Sequence, residues 1–210
     1  MLAVAVTGGG SSLLVAWGAW ASMLGFGMAG VMIYSSKVGK IRVRDRLLEG
    51  LRLRGDEDVL DLGCGSGLML LGAAERAPAG TATGVDLWRS RDQAGSSSAQ
   101  CLANARRLGV ADRVRLVDGD MTDLPFPDNS FDLVLAGLSV HNLHPSSRRE
   151  KAILEAVRVL RPGGRIALVD ISGTKTYLSV LVGAGMRHPR RSRVAAGIFP
   201  PARVVTASAP

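Results

Sequence analysis

"VLDLGCGSG", residues 59–67, decides the fold. An apolar run carrying one aspartate leads straight into three glycines at alternate positions. Glycines so spaced let the chain take left-handed dihedrals and let a ligand approach the backbone closely. A strand, a glycine turn and a helix N-terminus in that order form a ligand cradle at the carboxyl edge of a sheet.

Working outward, strand and helix patterns alternate. "DVLDL" (58–62) reads as a buried strand and "GLMLLGAAERA" (67–77) as a helix that is apolar nearly all round. "TATGVDL" (81–87), "RVRLVDGD" (113–120), "FDLVLAGL" (131–138) and "RIALVD" (165–170) read as further strands. Helices are expected at 97–109 and at 146–160, the latter with Ile153, Leu154, Val157 and Leu160 on one face and stopped by Pro162-Gly163-Gly164. A helix at 174–184 and extended pieces near 186–194 and 202–207 close the chain. Alternation of this kind, with near-continuous apolar strands, predicts an α/β fold on a parallel sheet.

The cradle's ligand is narrowed by charge. The dinucleotide fingerprint G-x-G-x-x-G would need a third glycine where Leu68 stands; the observed pattern is G-x-G-x-G, with Asp61 just before it. A carboxylate there would repel a pyrophosphate and suits a ligand with an amino group. Asp86 ends the second strand, where an acid accepts the two ribose hydroxyls of a nucleoside. Asp61 and Asp86 together favour a cationic nucleoside, and S-adenosylmethionine, with its sulfonium and ammonium, fits.

"VLDLGCGSG", "GVDLW", "GDMTDLPFPDNSFDLVLAG" and "VLRPGGRIALVD" resemble, in order over residues 58–170, the motifs of class I S-adenosylmethionine-dependent methyltransferases, and more narrowly the ubiquinone/menaquinone C-methyltransferase group. "DLWRSRDQAG", "SVHNLH" and "FPPARVVTASAP" resemble a bacterial branch with membrane-anchored N-termini. The resemblance implies a Rossmann-like seven-stranded sheet with helices on both faces, its last two strands matching the C-terminal extended pieces and one of them antiparallel. It implies that Asp61, Gly63, Cys64, Gly65 and Gly67 hold the methionine end. Asp86 would bind the ribose, with Leu87 packing on adenine. Asp120 would accept from the adenine amino group beside Met121, and Gly137 and Leu138 would border the methyl group.

The flanks of this domain differ from its middle. Residues 1–36 carry no charged side chain, and residues 37–54 hold seven Lys/Arg against Asp45 and Glu49. "LLVAWGAWASMLGFGMAGVMIY" (13–34) would rise about 33 Å as a helix, enough to cross a bilayer core. Trp17, Trp20 and Tyr34 suit the interfaces, and Lys37, Lys40, Arg42, Arg44 and Arg46 follow. The positive-inside rule then puts the N-terminus outside and the rest in the cytoplasm. The expected organisation is a transmembrane segment (1–36), a basic linker helix (37–54, with Val38, Ile41, Leu48 and Leu51 on its apolar face) and a methyltransferase domain (55–210). Two other readings of the first segment stay open. Ala19-Trp20-Ala21 has the small-x-small form of a signal-peptide cleavage site, although no positive residue precedes the apolar run. The segment would also serve as a buried helix in a soluble dimer. Cys64 and Cys101 have neither disulfide-framework nor zinc spacing, and no metal site is expected.

The methyl acceptor is approached through absences. "AGLSVHNL" after the fourth strand lacks the Asn/Asp-Pro-Pro-Tyr of amino-methylating enzymes, no aspartate ends that strand as a magnesium ligand, and thiolates are too few for arsenite chemistry. A small-molecule oxygen or carbon acceptor is expected, lipophilic if the anchor brings it. His141 is the candidate general base, with His144 second, and Trp88, Asp92 and Gln93 lie in a covering loop at 88–96. Two other classes remain in view. One is a non-catalytic S-adenosylmethionine-binding or scaffold protein at the membrane. The other is a nucleic-acid methyltransferase, suggested by the basic composition and disfavoured because the positive charge lies on the flanks.

Overall fold

The computed structural model describes residues 9–88, 97–195 and 197–210. Most of the expected covering loop, including Asp92 and Gln93, lies outside the described residues. Seven strands form one sheet: β1 (Asp58–Leu62), β2 (Thr81–Asp86), β3 (Val114–Asp118), β4 (Phe131–Gly137), β5 (Leu160–Asp170), β6 (Arg187–Arg191) and β7 (Arg203–Ser208). Their order is β3-β2-β1-β4-β5-β7-β6. β1 to β5 pair in parallel, and β7 runs antiparallel to both β5 and β6. This is the Rossmann-like methyltransferase sheet that the sequence motifs imply.

The strands alternate between two apolar layers, because successive side chains point to opposite faces. Leu60, Leu62, Val134, Ala136, Ile166 and Leu168 pack on one side with Ile153, Ala156, Tyr177 and Leu181 from α5 (Ser146–Arg158) and α6 (Thr174–Gly183). Val59, Leu133, Leu135, Ala167 and Val169 face the other side, where Val43 and Leu48 of α2 (Lys40–Leu51) and Met69 and Ala73 of α3 (Leu68–Arg76) cover them. α4 (Ser98–Arg107) closes that layer through Cys101 and Ala105 against Leu70, Leu71 and Ala82. Helices therefore stand on both faces.

Three local expectations are corrected. β5 begins at Leu160, so Pro162-Gly163-Gly164 lies inside a strand rather than ending a helix. Its pairing with β4 shifts register between Phe131 and Leu133, and this irregularity accommodates a residue that cannot donate to the ladder. The buried face of α5 is Ala152, Ile153 and Ala156, while Leu154 is half exposed: small side chains let the helix lie close to the sheet. On α2 the buried pair is Val43 and Leu48, and Ile41 faces outward.

The N-terminal segment is a helix, α1 (Gly9–Tyr34), continued through a π-helical turn (Ser35–Gly39) directly into α2. Every described side chain from Ala16 to Tyr34 is exposed, including Trp17, Trp20 and Phe26. Such an apolar helix, exposed over residues 16–34 and touched among the described residues at its end, where Arg42 lies over the Tyr34 ring, is matched to a hydrocarbon environment or to a partner. Its base is fixed to the domain. The Ser35 hydroxyl accepts from the Phe199 amide at 2.8 Å and donates to the Phe199 carbonyl at 3.2 Å. Gly39 meets the backbone of Gly197 so closely that a Cβ would stand 1.8 Å from its carbonyl oxygen.

Candidate active site

The sheet order reverses between β1 and β4, and a crevice opens there beyond the carboxyl ends of the strands. The turn after β1 forms its floor. Gly63 N–H donates to Val85 O at 2.7 Å and Gly67 N–H to Cys64 O at 2.8 Å, which folds the loop tightly onto β2. Gly63 (φ +67°) and Gly67 (φ +95°) take left-handed dihedrals. A Cβ on Gly63 would stand 2.5 Å from Cβ of Ser139, and one on Gly67 would stand 2.7 Å from Leu71. Both positions are therefore fixed by conformation and by space.

Asp61 is 1 % exposed at the end of β1. Its Oδ2 accepts from the Leu70 amide in the first turn of α3 at 2.9 Å, and its Oδ1 is buried with no partner among the described residues. Burial pushes this carboxyl well above the ordinary carboxylate range, with the Leu70 hydrogen bond only partly opposing it. A buried acceptor without a donor is costly, and an ammonium group entering the crevice would supply both donor and charge. Asp86, at the end of β2, pins the loop: Oδ2 accepts from Gly65 N–H and Oδ1 from Trp88 N–H, each at 2.8 Å. Each oxygen keeps a lone pair, so two ribose hydroxyls remain within its capacity. The amino-acid cradle and the ribose acceptor thus fit S-adenosylmethionine.

Leu87, Met121, Gly137 and Leu138 all line the same crevice, as do Asp61, Gly63, Cys64, Gly65, Asp86 and Asp120. Leu87 is 40 % exposed, as a face offered to an adenine ring would be. Gly67 closes the loop behind this lining, against Leu71 and Cys101. The Cys64 thiol points away from the crevice, under β2, close enough to exclude a Cβ at Gly84. Its hydrogen bond with Cys101, and then burial, push that thiol up, so it stays protonated. Asp120 is more engaged than the sequence suggests. Its Oδ1 takes the Thr122 amide and hydroxyl at 2.9 Å each, and its Oδ2 pairs with Arg148. Burial would raise this carboxyl, but those contacts outweigh it and hold it below the usual range.

His141 lies in a 3-10 turn (Val140–Asn142) after β4. Its neighbours Ser139, Asn142 and Leu143 line the crevice, whereas its own ring turns to the end of β5. Nδ1 stands 2.6 Å from Oδ1 of Asp170, off the straight line of a hydrogen bond, and the His141 amide donates to Oδ2 at 3.0 Å. Asp170 is 2 % exposed and also accepts from the buried Tyr177 hydroxyl at 3.0 Å. Burial, then the adjacent carboxylate, push the Tyr177 phenol up, so it remains a donor. His144 faces Arg149 instead.

Sequence reasoning missed several of these residues. Asp170 and Tyr177 lie 29 and 36 positions from His141 and carry no local signal. Ser139 is placed by the hydrogen bond its hydroxyl donates to Leu62 O at 2.6 Å. Lys40, from α2, also lines the crevice.

A family described as a methyltransferase domain matches residues 60–168. A 27-O-demethylrifamycin SV methyltransferase of Amycolatopsis mediterranei is 37 % identical over 129 residues, 61 % of this chain and 44 % of that protein. A ubiquinone/menaquinone biosynthesis C-methyltransferase, UbiE, of Roseobacter denitrificans is 33 % identical over 129 residues, 61 % of this chain and 48 % of that protein. The chain spans about half the length of these curated relatives. Among solved structures, the [4+2]-cyclase SpnF superposes with a TM-score of 0.66 at 23 % identity, covering 81 % of each chain, a likeness of fold.

Proposed function

This chain belongs to the methyltransferase domain family, and from that premise we propose that it moves the methyl group of S-adenosylmethionine to an oxygen or carbon of a small, lipophilic acceptor. The observation that carries the reading is the unpartnered, buried Oδ1 of Asp61 beside the glycine turn. When bound, the cofactor supplies a methyl group already activated on a sulfonium. The chain's own work is then to hold and to orient. Asp61 takes the ammonium, Asp86 the ribose, and the turn at Gly63–Gly67 brings backbone close to the methionine end. Gly137 and Leu138 border the space where acceptor and methyl meet in line, and holding reactants in that geometry can contribute on the order of 7–11 kcal/mol. Two relatives support a small organic acceptor: one is named for a rifamycin O-methyl position and the other for quinone C-methylation.

Methyl transfer is tested by incubating the protein with methyl-labelled S-adenosylmethionine and extracted lipids and quinones, followed by mass spectrometry. Label is expected in an extractable organic product. Cofactor binding with no labelled product would favour the non-catalytic reading instead.

The proton leaving the acceptor is assigned to His141. What supports the assignment is its place in the chain: its neighbours Ser139, Asn142 and Leu143 line the crevice. His141→Ala should lower turnover about 100-fold or more while affinity for S-adenosylhomocysteine stays near that of the unaltered protein. Turnover within a few-fold of normal, with the same pH profile, would leave His141 as a structural partner of Asp170 alone.

The same proposal places the domain at a membrane, in the cytoplasm, with α1 spanning once and its N-terminus outside. Exposure of α1 from Ala16 to Tyr34, its length and the basic residues that follow it support this placement.

A further inference from the structure

We infer that Lys40 binds the α-carboxylate of the cofactor's methionine end, an inference that rests on the cofactor reading above. Among the described residues lining the crevice, Lys40 is the one cation, against Asp61, Asp86 and Asp120. Asp120 is matched by Arg148, and Asp86 by two backbone amides. Lys40 itself makes no ion pair among the described residues. The end of the cofactor held at Asp61 is a zwitterion, so a site that takes its ammonium with a carboxylate still has to satisfy an anion a few ångströms away. A single unpaired ammonium on the same rim meets that need.

Helix packing puts Lys40 at the correct end of the crevice. Arg44 lies over Gly72 of α3, where a Cβ would stand 2.5 Å from its Cδ. Lys40 is one helical turn earlier and lines the crevice with Leu68 and Met69, the residues that open α3. That first turn is also where Leu70 N–H meets Asp61. Lys40 and Asp61 therefore bracket the N-terminal end of α3 from two elements, α2 and β1. Lys40 stands outside the span of 60–168 that matches the family. The contact would be made by the linker helix, which continues upward into α1.

Ligand chemistry separates this role from a structural one. Titration calorimetry at low ionic strength would compare S-adenosylhomocysteine with its decarboxylated 3-aminopropyl analogue, which keeps adenosine, sulfur and ammonium. The unaltered protein should prefer S-adenosylhomocysteine about ten-fold or more, the scale of one charge-assisted hydrogen bond. Lys40→Ala should remove most of that preference by weakening S-adenosylhomocysteine while leaving the analogue within about two-fold. Lys40→Arg, which keeps the charge, should retain it. Equal loss of both ligands in Lys40→Ala, or loss of neither, would overturn the assignment. In the second case the amides at the start of α3 would hold the carboxylate unaided. Failure of the unaltered protein to bind either ligand would overturn the cofactor reading, and this inference with it.

Discussion

Replacing Asp61 by asparagine is expected to abolish useful cofactor binding and at the same time to stabilise the empty protein. Asparagine keeps an oxygen that can accept from Leu70 N–H, so the turn into α3 should survive. It removes the negative charge that a buried ammonium would meet. Losing one partner of a buried charge pair costs about 2–5 kcal/mol, so affinity for S-adenosylhomocysteine should fall roughly 30-fold to several thousand-fold. The stability effect has the opposite sign. Burial raises the Asp61 carboxyl in the folded chain above its unfolded value. At pH below the unfolded value both states hold the proton and nothing is lost. As pH climbs from there towards and past the raised value, the unfolded chain gives up its proton more easily, and the folded state is progressively disfavoured. Thermal unfolding without ligand should therefore show Asp61→Asn more stable than the unaltered protein near neutrality, with the gap closing in acid. The same linkage means that an ammonium bound beside Asp61 favours its charged form, so affinity should rise as pH climbs towards the raised Asp61 value and level off above it. An asparagine variant that binds as tightly as the original would remove Asp61 from the site and take the main support of the functional reading with it.

Why the place of Asp61 beside the crevice is legible in the sequence and that of Lys40 is not is a matter of range. Asp61, the glycines and Leu70 lie within ten positions, and their placement together follows from one strand, one turn and one helix start. Asp86 is legible for the same reason, at the end of the next strand. The parallel sheet is legible because its strands are buried on both faces and read as apolar runs. Contacts between distant segments leave no such trace. Arg148 reaches Asp120 across 28 positions, Asp170 meets His141 across 29, and Lys40 reaches the crevice only because α2 packs on α3. The misplaced start of β5 has another cause. Pro162 and Gly164 are breakers in a regular ladder, but a register shift against β4 tolerates both. On α5 the reading favoured large apolar residues and passed over Ala152 and Ala156, whose small size is what allows close approach to the sheet.

Removing residues 1–36 should turn a membrane-held protein into a soluble one that still binds cofactor. α1 is 26 residues long, about 39 Å as a helix, against a hydrocarbon core of about 30 Å. From Ala16 to Tyr34 it is exposed on every side, and a helix exposing Trp17, Trp20, Leu24, Phe26 and Ile33 to water would be strongly disfavoured. Burying that surface in a bilayer does not depend on charge, so high salt and alkaline washing should leave the full chain in the membrane fraction. At a membrane, the cations of the stretch from Lys37 to Arg46 that face outward, Lys37 among them, would add a second, salt-sensitive attraction of about 1 kcal/mol each near the headgroups. A chain beginning at Lys37 keeps Lys40, Val43, Arg44 and Leu48, hence the α2–α3 contact that completes the crevice. It gives up Ser35 and so the two hydrogen bonds to Phe199, each contributing about 0.5–1.5 kcal/mol, and should unfold at a somewhat lower temperature. S-adenosylhomocysteine affinity measured on this shortened chain should match that of the full chain in detergent. If salt alone releases the full chain, α1 is instead a surface-bound helix or one that pairs with another copy. The single-pass placement would then fall, while the roles proposed for Asp61, Asp86 and the glycine turn, none of which touches α1, would stand.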